Sequence, residues 1–85
     1  MTLQELEEIF EQEPTMPSGI DRTFEGLKIL SKYTDEVVGA PAHDIIYSID
    51  VDTALEAGLT KEEAVLLRQY NWGISEEYDC FYKFV

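Results

Sequence analysis

One histidine, one cysteine and 18 carboxylates are the residues of this chain best equipped for chemistry. Nucleophilic catalysis needs a nucleophile, a base and a group that orients the base. His43 and Asp44 are adjacent in "AHDIIYSIDV", which reads as a strand. Neighbours on a strand point to opposite faces, so Asp44 does not orient His43 directly. Cys80 reaches His43 only across a sheet, and a lone cysteine between aromatics is usually a small buried hydrophobe. Zinc needs more ligands than one His and one Cys 37 positions apart. "IDVDTALEAG" groups Asp50, Asp52 and Glu56, but an EF-hand loop begun at Asp50 needs glycine sixth and glutamate twelfth. Leu55 and Lys61 stand there, so these acids mark a strand end and a helix cap. The five glycines are scattered and form no phosphate loop. A chain of 85 residues leaves little room for a cleft with paired carboxylates. No catalytic residue, metal ligand or cofactor is expected.

The elements that position these groups follow from spacing. "TLQELEEIFEQE" is an amphipathic helix with a Thr2/Glu5 capping box and an apolar stripe of Leu3, Leu6, Ile9 and Phe10. "EPTMPSG" breaks it, which makes residues 1–13 a helical arm before an α+β core over 20–85. "DRTFEGLKILSKYTDEVV" is a second helix capped by Asp21, with Phe24, Leu27 and Leu30 on one face. Gly26 weakens it unless a neighbouring backbone packs there. "GAP" at 39–41 ends that unit. In the strand that follows, His43, Ile45, Tyr47, Ile49 and Val51 form the expected core face. "DTALEAG" is at most a helical turn capped by Asp52. Thr60 and Glu63 open a third helix, with Leu59, Leu66, Leu67 and Tyr70 buried. A hairpin closes the chain: Trp72 and Ile74, the turn "SEEYD", then "CFYKFV" with Cys80, Tyr82 and Phe84 inward and Phe81, Lys83 and Val85 outward. The expected fold is a single α+β domain, three helices on a small, mainly antiparallel three-stranded sheet.

Composition narrows the partner. The chain is 45% hydrophobic, too apolar for disorder, yet 18 acids face six bases for a net charge of −12. That balance disfavours nucleic acid or an anionic membrane and favours basic partners. The single cysteine excludes an internal disulfide and argues against a secreted, stapled scaffold. "MTLQELEEIFEQE" lacks the basic and apolar regions of a signal peptide, and no apolar run approaches the roughly 20 residues of a membrane span. The expected location is the cytoplasm.

Helix macrodipoles explain Glu5, Glu62 and Glu63 near helix starts but not Glu76, Glu77 and Asp79 in the hairpin turn. Asp44, Asp50, Asp52 and Glu56 line the polar side of the first strand and its exit. These acids, with Tyr78 and with Phe81 as an outward aromatic anchor, form the expected partner-binding surface.

"GLTKEEAVLLRQYNWGISEEYDCFYKFV" resembles the small acidic accessory proteins of bacteriophages and mobile elements. The shared pattern is a capped helix, an aromatic turn, an "EEYD"-like loop and a closing aromatic strand. Several such proteins, anti-CRISPR proteins among them, inhibit host defence nucleases, some by imitating nucleic acid. The resemblance covers the last third of the chain and transfers no functional residues. It implies a non-enzymatic inhibitor that binds a basic, nucleic-acid-handling protein. The alternative is a small adaptor that docks or dimerises through an apolar face such as the first helix.

Overall fold

Two threonines open two of the helices as their spacing predicts. At α1 (Leu3–Phe10) the Glu5 N–H donates to Thr2 Oγ1 at 3.2 Å, and the Thr2 N–H donates to the Glu5 carboxylate at 2.9 Å. Asp21 caps α2 (Arg22–Leu30) by accepting the Phe24 N–H at 3.0 Å. Thr60 and Glu63 repeat the reciprocal exchange at α4 (Lys61–Gln69). These bonds satisfy donors that a first helical turn leaves free.

This computed structural model describes residues 1–39 and 44–84. The expected strand start at Ala42 and His43, the helix break at Ala40 and Pro41, and the outward placement of Val85 lie outside the described residues.

The helical layer differs from expectation in two places. α2 stops at Leu30 instead of running to Val38. Tight turns at Lys32 and Tyr33 close it, and Thr34, Val37 and Val38 are poor helix formers. The chain leaves the helix to run beside the first strand, where the Ser48 hydroxyl donates to the Val37 carbonyl and the Gly39 N–H to the Tyr47 carbonyl at 2.9 Å. There it covers part of a sheet edge. The expected single turn after the first strand is a complete helix, α3 (Val51–Ala57), which raises the count to four. Its N-cap is Asp50 rather than Asp52, because the strand passes into it without a loop. Gly58, at φ 105°, ends it in the left-handed conformation.

The sheet has β1 (Ile45–Asp50) and β2 (Gly73–Ser75) on either side of β3 (Cys80–Phe84), both pairings antiparallel. Tyr47 faces Tyr82 and Asp50 faces Cys80, so Ser48 and Ile49 together oppose Phe81. This bulge overturns the expected alternation, because it buries both Ser48 and Ile49. Before it, Ile46 packs on the core and the odd residues Ile45 and Tyr47 take the opposite face. On β3 Cys80 is buried as expected, and the inversion holds beyond it. Phe81 is fully buried and Lys83 nearly so, whereas Phe84 is 58% exposed.

Leu6, Leu30, Leu67, Trp72 and Phe81 are the largest fully buried side chains. Leu6 and the Phe10–Phe81 contact, with ring centroids 5.7 Å apart, make α1 part of this core rather than a free arm. Its partner α4 is tied to it by Lys61 and Glu5 at 2.5 Å. The outer ends of two apolar stripes stay in solvent: Leu3 on α1 and Phe24 on α2, where Lys28 lies over the ring. On α4, Leu67 is buried but Leu66 is largely exposed.

Candidate protein-binding face

The β2–β3 turn sets the geometry of the outer sheet face. Ser75 belongs to β2, so the connection is the four residues 76–79 rather than "SEEYD". Asp79 takes φ 53° and donates its N–H to the Ser75 carbonyl at 2.8 Å, while the Tyr78 N–H donates to Ser75 Oγ at 3.2 Å. Asp tolerates this left-handed position better than most residues. The closed turn carries Tyr78 back to Tyr47, ring edge to ring face, with centroids 5.1 Å apart. Tyr82 and Phe84 form a second such pair at 5.5 Å. Gly73 stands opposite Tyr82, and a Cβ there would lie 2.7 Å from the Tyr82 ring. The glycine is needed for the ring to lie across β2.

Ile45, Tyr47, Tyr82 and Phe84 therefore line a shallow depression of about 430 Å³, with Glu76 and Glu77 on its rim. Tyr78 is 56% exposed above it. Paired rings and an acidic rim suit a protein contact. Burial, then the neighbouring Tyr78 and Glu77, pushes the Tyr47 phenol above its ordinary range, so it stays a neutral donor.

The structure brings together only part of the expected surface. Asp52, Glu76 and Asp79 border one groove, and Asp50 pairs with Cys80 beside them. Glu77 and Tyr78 are exposed on the turn. Glu56 is exposed one helical turn along α3 from Asp52. Asp44, at φ 59°, precedes the far end of β1, roughly 20 Å from the turn at about 3.3 Å per residue. Phe81 is not an anchor: it is fully buried against Phe10. Ile45, Tyr47, Tyr82 and Phe84 were missed because the odd residues of β1 look like its core side. Lys83 pointed the same wrong way, because a lysine suggests an outward position and here it is buried.

The basic residues leave most of the carboxylates without an ion-pair partner among the described residues. Lys28, Lys32 and Lys61 pair with Glu25, Glu63 and Glu5. Arg22 donates to the Met16 and Pro17 carbonyls, Arg68 to those of Gln12 and Trp72, and buried Lys83 to that of Phe84. All six bases are thus engaged within the fold, and among the described residues only three of the 18 acids are in ion pairs.

One strongly perturbed cluster lies elsewhere. Burial would raise the Glu63 carboxyl, but Lys32, the Tyr33 hydroxyl and Thr60 outweigh it and hold the pKa at about 2. Burial and the same contact push Tyr33 up to about 12. Perturbed pairs often mark active sites. Here Glu63 is a helix cap and its acceptor positions are occupied by Thr60, Lys32 and Tyr33, so the cluster is a clamp between α4 and the turns that follow α2. Burial, then the charge of Asp50, raises the Cys80 thiol, which disfavours its nucleophilic form. Among the described residues no three His, Cys, Asp or Glu side chains stand together as metal ligands, and no helix is long and apolar enough to cross a membrane.

No protein-family model, curated protein or solved structure matches this chain.

Proposed function

We propose that this protein is a non-enzymatic inhibitor that docks its outer sheet face on a basic, nucleic-acid-handling protein such as a defence nuclease or a CRISPR effector. The observation that carries the reading is an aromatic face, Tyr47, Tyr78, Tyr82 and Phe84, beside carboxylates that no base of the fold neutralises. Aromatic side chains supply contact energy, and the unpaired acids supply steering toward a positive surface. The acidic pattern of the last third of the chain, shared with phage accessory proteins, supports the choice of partner class. Its seat is the hairpin, where Glu76, Glu77 and Tyr78 are all exposed.

The test is inhibition of DNA cleavage by purified RNA-guided and restriction-type nucleases, measured at low and high salt. Expected is inhibition that weakens with salt, competes with substrate DNA, and is lost in Tyr47→Ala, Phe84→Ala and the double reversal Glu76→Lys/Glu77→Lys. Inhibition untouched by salt and by DNA would sink the mimicry. An adaptor that uses α1 as its docking face fits less well, because the Leu6 side chain of that helix is already buried in the core.

A further inference from the structure

A second concave surface lies around the free edge of β2. It is a groove of about 600 Å³ between α1, the start of α3 and the hairpin. Phe10, Val51 and Ile74 give it an apolar floor. Glu7 and Glu11 reach it from α1, Asp52 from α3, and Glu76 and Asp79 from the hairpin. Arg68 is its one base, and that guanidinium already donates to the Gln12 carbonyl at 2.6 Å and the Trp72 carbonyl at 3.1 Å. β2 is hydrogen-bonded to β3 along one side and, among the described residues, pairs with no strand along the other.

Carboxylates that converge on a depression from three elements present a different surface from a convex phosphate backbone. They surround whatever lies in it. The floor wants apolar side chains, the rim wants cations, and an edge strand offers backbone partners to an extended chain. Residues of an extended chain alternate in direction, so one set meets the floor while long Lys or Arg stems reach the rim.

We propose that this groove binds an extended segment of a partner protein in which Lys or Arg alternates with apolar residues. The inference deepens the proposed function, on which it rests for a basic partner, and identifies what part of that partner enters the fold. A second copy of this chain is the weaker occupant, because it would bring acids to an acidic rim.

The probe is a fluorescein-labelled peptide of about eight residues alternating Lys and Val, titrated into the full chain and read by anisotropy. Binding is expected to weaken at least about tenfold between roughly 50 and 300 mM NaCl, because rim charges are screened. Glu7→Lys/Glu11→Lys, at two exposed positions, should weaken it about tenfold or more. Asp35→Lys/Glu36→Lys changes net charge equally at exposed positions away from the groove and should alter binding less than about twofold. Unchanged melting curves for both doubles show that the fold persists. A Lys-only peptide, and a Lys–Val peptide N-methylated on alternate amides, should each bind about tenfold more weakly. Equal weakening by both double reversals would overturn the proposal in favour of net charge alone. Equal binding of the Lys-only peptide would overturn it too, as would a dimer of this chain that the peptide dissociates. Tyr47→Ala and Phe84→Ala separate the two readings: they address nuclease inhibition through the outer face and leave the peptide groove intact. Peptide binding without inhibition sinks the proposed function, and inhibition without peptide binding sinks the groove.

Discussion

Gly26→Ala is the substitution for which helix propensity and packing give opposite answers. Gly26 lies inside α2, where alanine is intrinsically better by up to about 1 kcal/mol. A Cβ on this backbone would stand 1.9 Å from Nε1, 2.4 Å from Cε2 and 2.7 Å from Cδ1 of Trp72. The indole does not swing aside freely. It is fully buried, and its N–H donates to the Arg22 carbonyl at 3.2 Å, one turn before Gly26. Overpacking of this kind costs about 1–3 kcal/mol, and displacing the indole leaves a buried donor unpaired for another ~1–3 kcal/mol. After the propensity gain is subtracted, the net destabilisation is about 1–5 kcal/mol. That is a large part of the roughly 4–13 kcal/mol expected for a domain of this size. The midpoint of thermal unfolding should fall by about 4–8 °C for each kcal/mol lost.

Trp72 is the only tryptophan, so its fluorescence reports unfolding directly, with far-ultraviolet circular dichroism as a second probe. Urea titrations of the wild type, Gly26→Ala, Trp72→Phe and the double variant, all four followed by circular dichroism because two of them lack the tryptophan, complete the cycle. Phenylalanine lacks the Nε1 edge that the new Cβ meets, so Gly26→Ala should cost at least about 1 kcal/mol less in the Trp72→Phe background. An alanine variant as stable as the wild type, or more so, would refute the packing of Trp72 on this helix.

Three further outcomes are expected. The folded-state pKa of Glu63 is lowered from 4.5 to about 2, so its stabilisation is present above about pH 4.5 and is lost as pH falls toward 2. The full linkage is roughly 3 kcal/mol, reduced to about 1–2 because Lys32 is solvent-exposed; Glu63→Gln should therefore destabilise at pH ~7 and converge with the wild type near pH ~2 in urea titrations. Phe81→Ala should cost about 3–5 kcal/mol in a melting experiment, whereas Phe84→Ala should stay within about 0.5 kcal/mol of the wild type. The reverse order would invert the assignment of sheet faces. Cys80 should react slowly with a disulfide reagent in the native state and rapidly in denaturant, because it is buried and its thiol is held above its ordinary pKa.

What could be read from the sequence was local. Thr2/Glu5, Asp21 and Thr60/Glu63 marked three helix starts because a cap involves only residues two or three apart. The hairpin was readable because acids and aromatics segregate sharply around residues 76–79. The sheet faces were not readable, because their assignment depends on one bulge. Ile45, Tyr47, Ile49 and Val51 make a more convincing apolar row than Ile46 and Ser48, yet Ser48 and Ile49 opposite Phe81 shift the alternation midway along β1. Ile45, Tyr47, Tyr82 and Phe84 then fell outside and Phe81 and Lys83 inside, while Ile49, Val51 and Cys80 stayed buried as expected. The candidate acids near the turn survived this inversion because they lie at element ends, where alternation has no influence. Gly26 was legible as a cost or a close backbone contact, but not as a seat for an indole. Its reason, Trp72, lies 46 positions away in the sequence.

The scarcity of bases links the fold to the proposed binding. Lys61–Glu5 joins α4 to α1, and Lys32–Glu63 joins the turns that follow α2 to α4. Arg22 and Arg68 hold the α1–α2 connection through the Gln12, Met16 and Pro17 carbonyls. Each arginine does so without neutralising a carboxylate, because carbonyls accept its hydrogen bonds and keep no net charge. A fold that fastens its helices with cations on carbonyls leaves its acids unpaired. Self-repulsion from that charge costs stability, which a cation-bearing partner would relieve on binding. Charge-reversing substitutions at Glu76 or Glu77 should therefore leave the free protein as stable as before or slightly more stable, while they weaken the complex. Stability and binding moving in opposite directions would separate an acidic surface kept for a partner from one kept for its own fold.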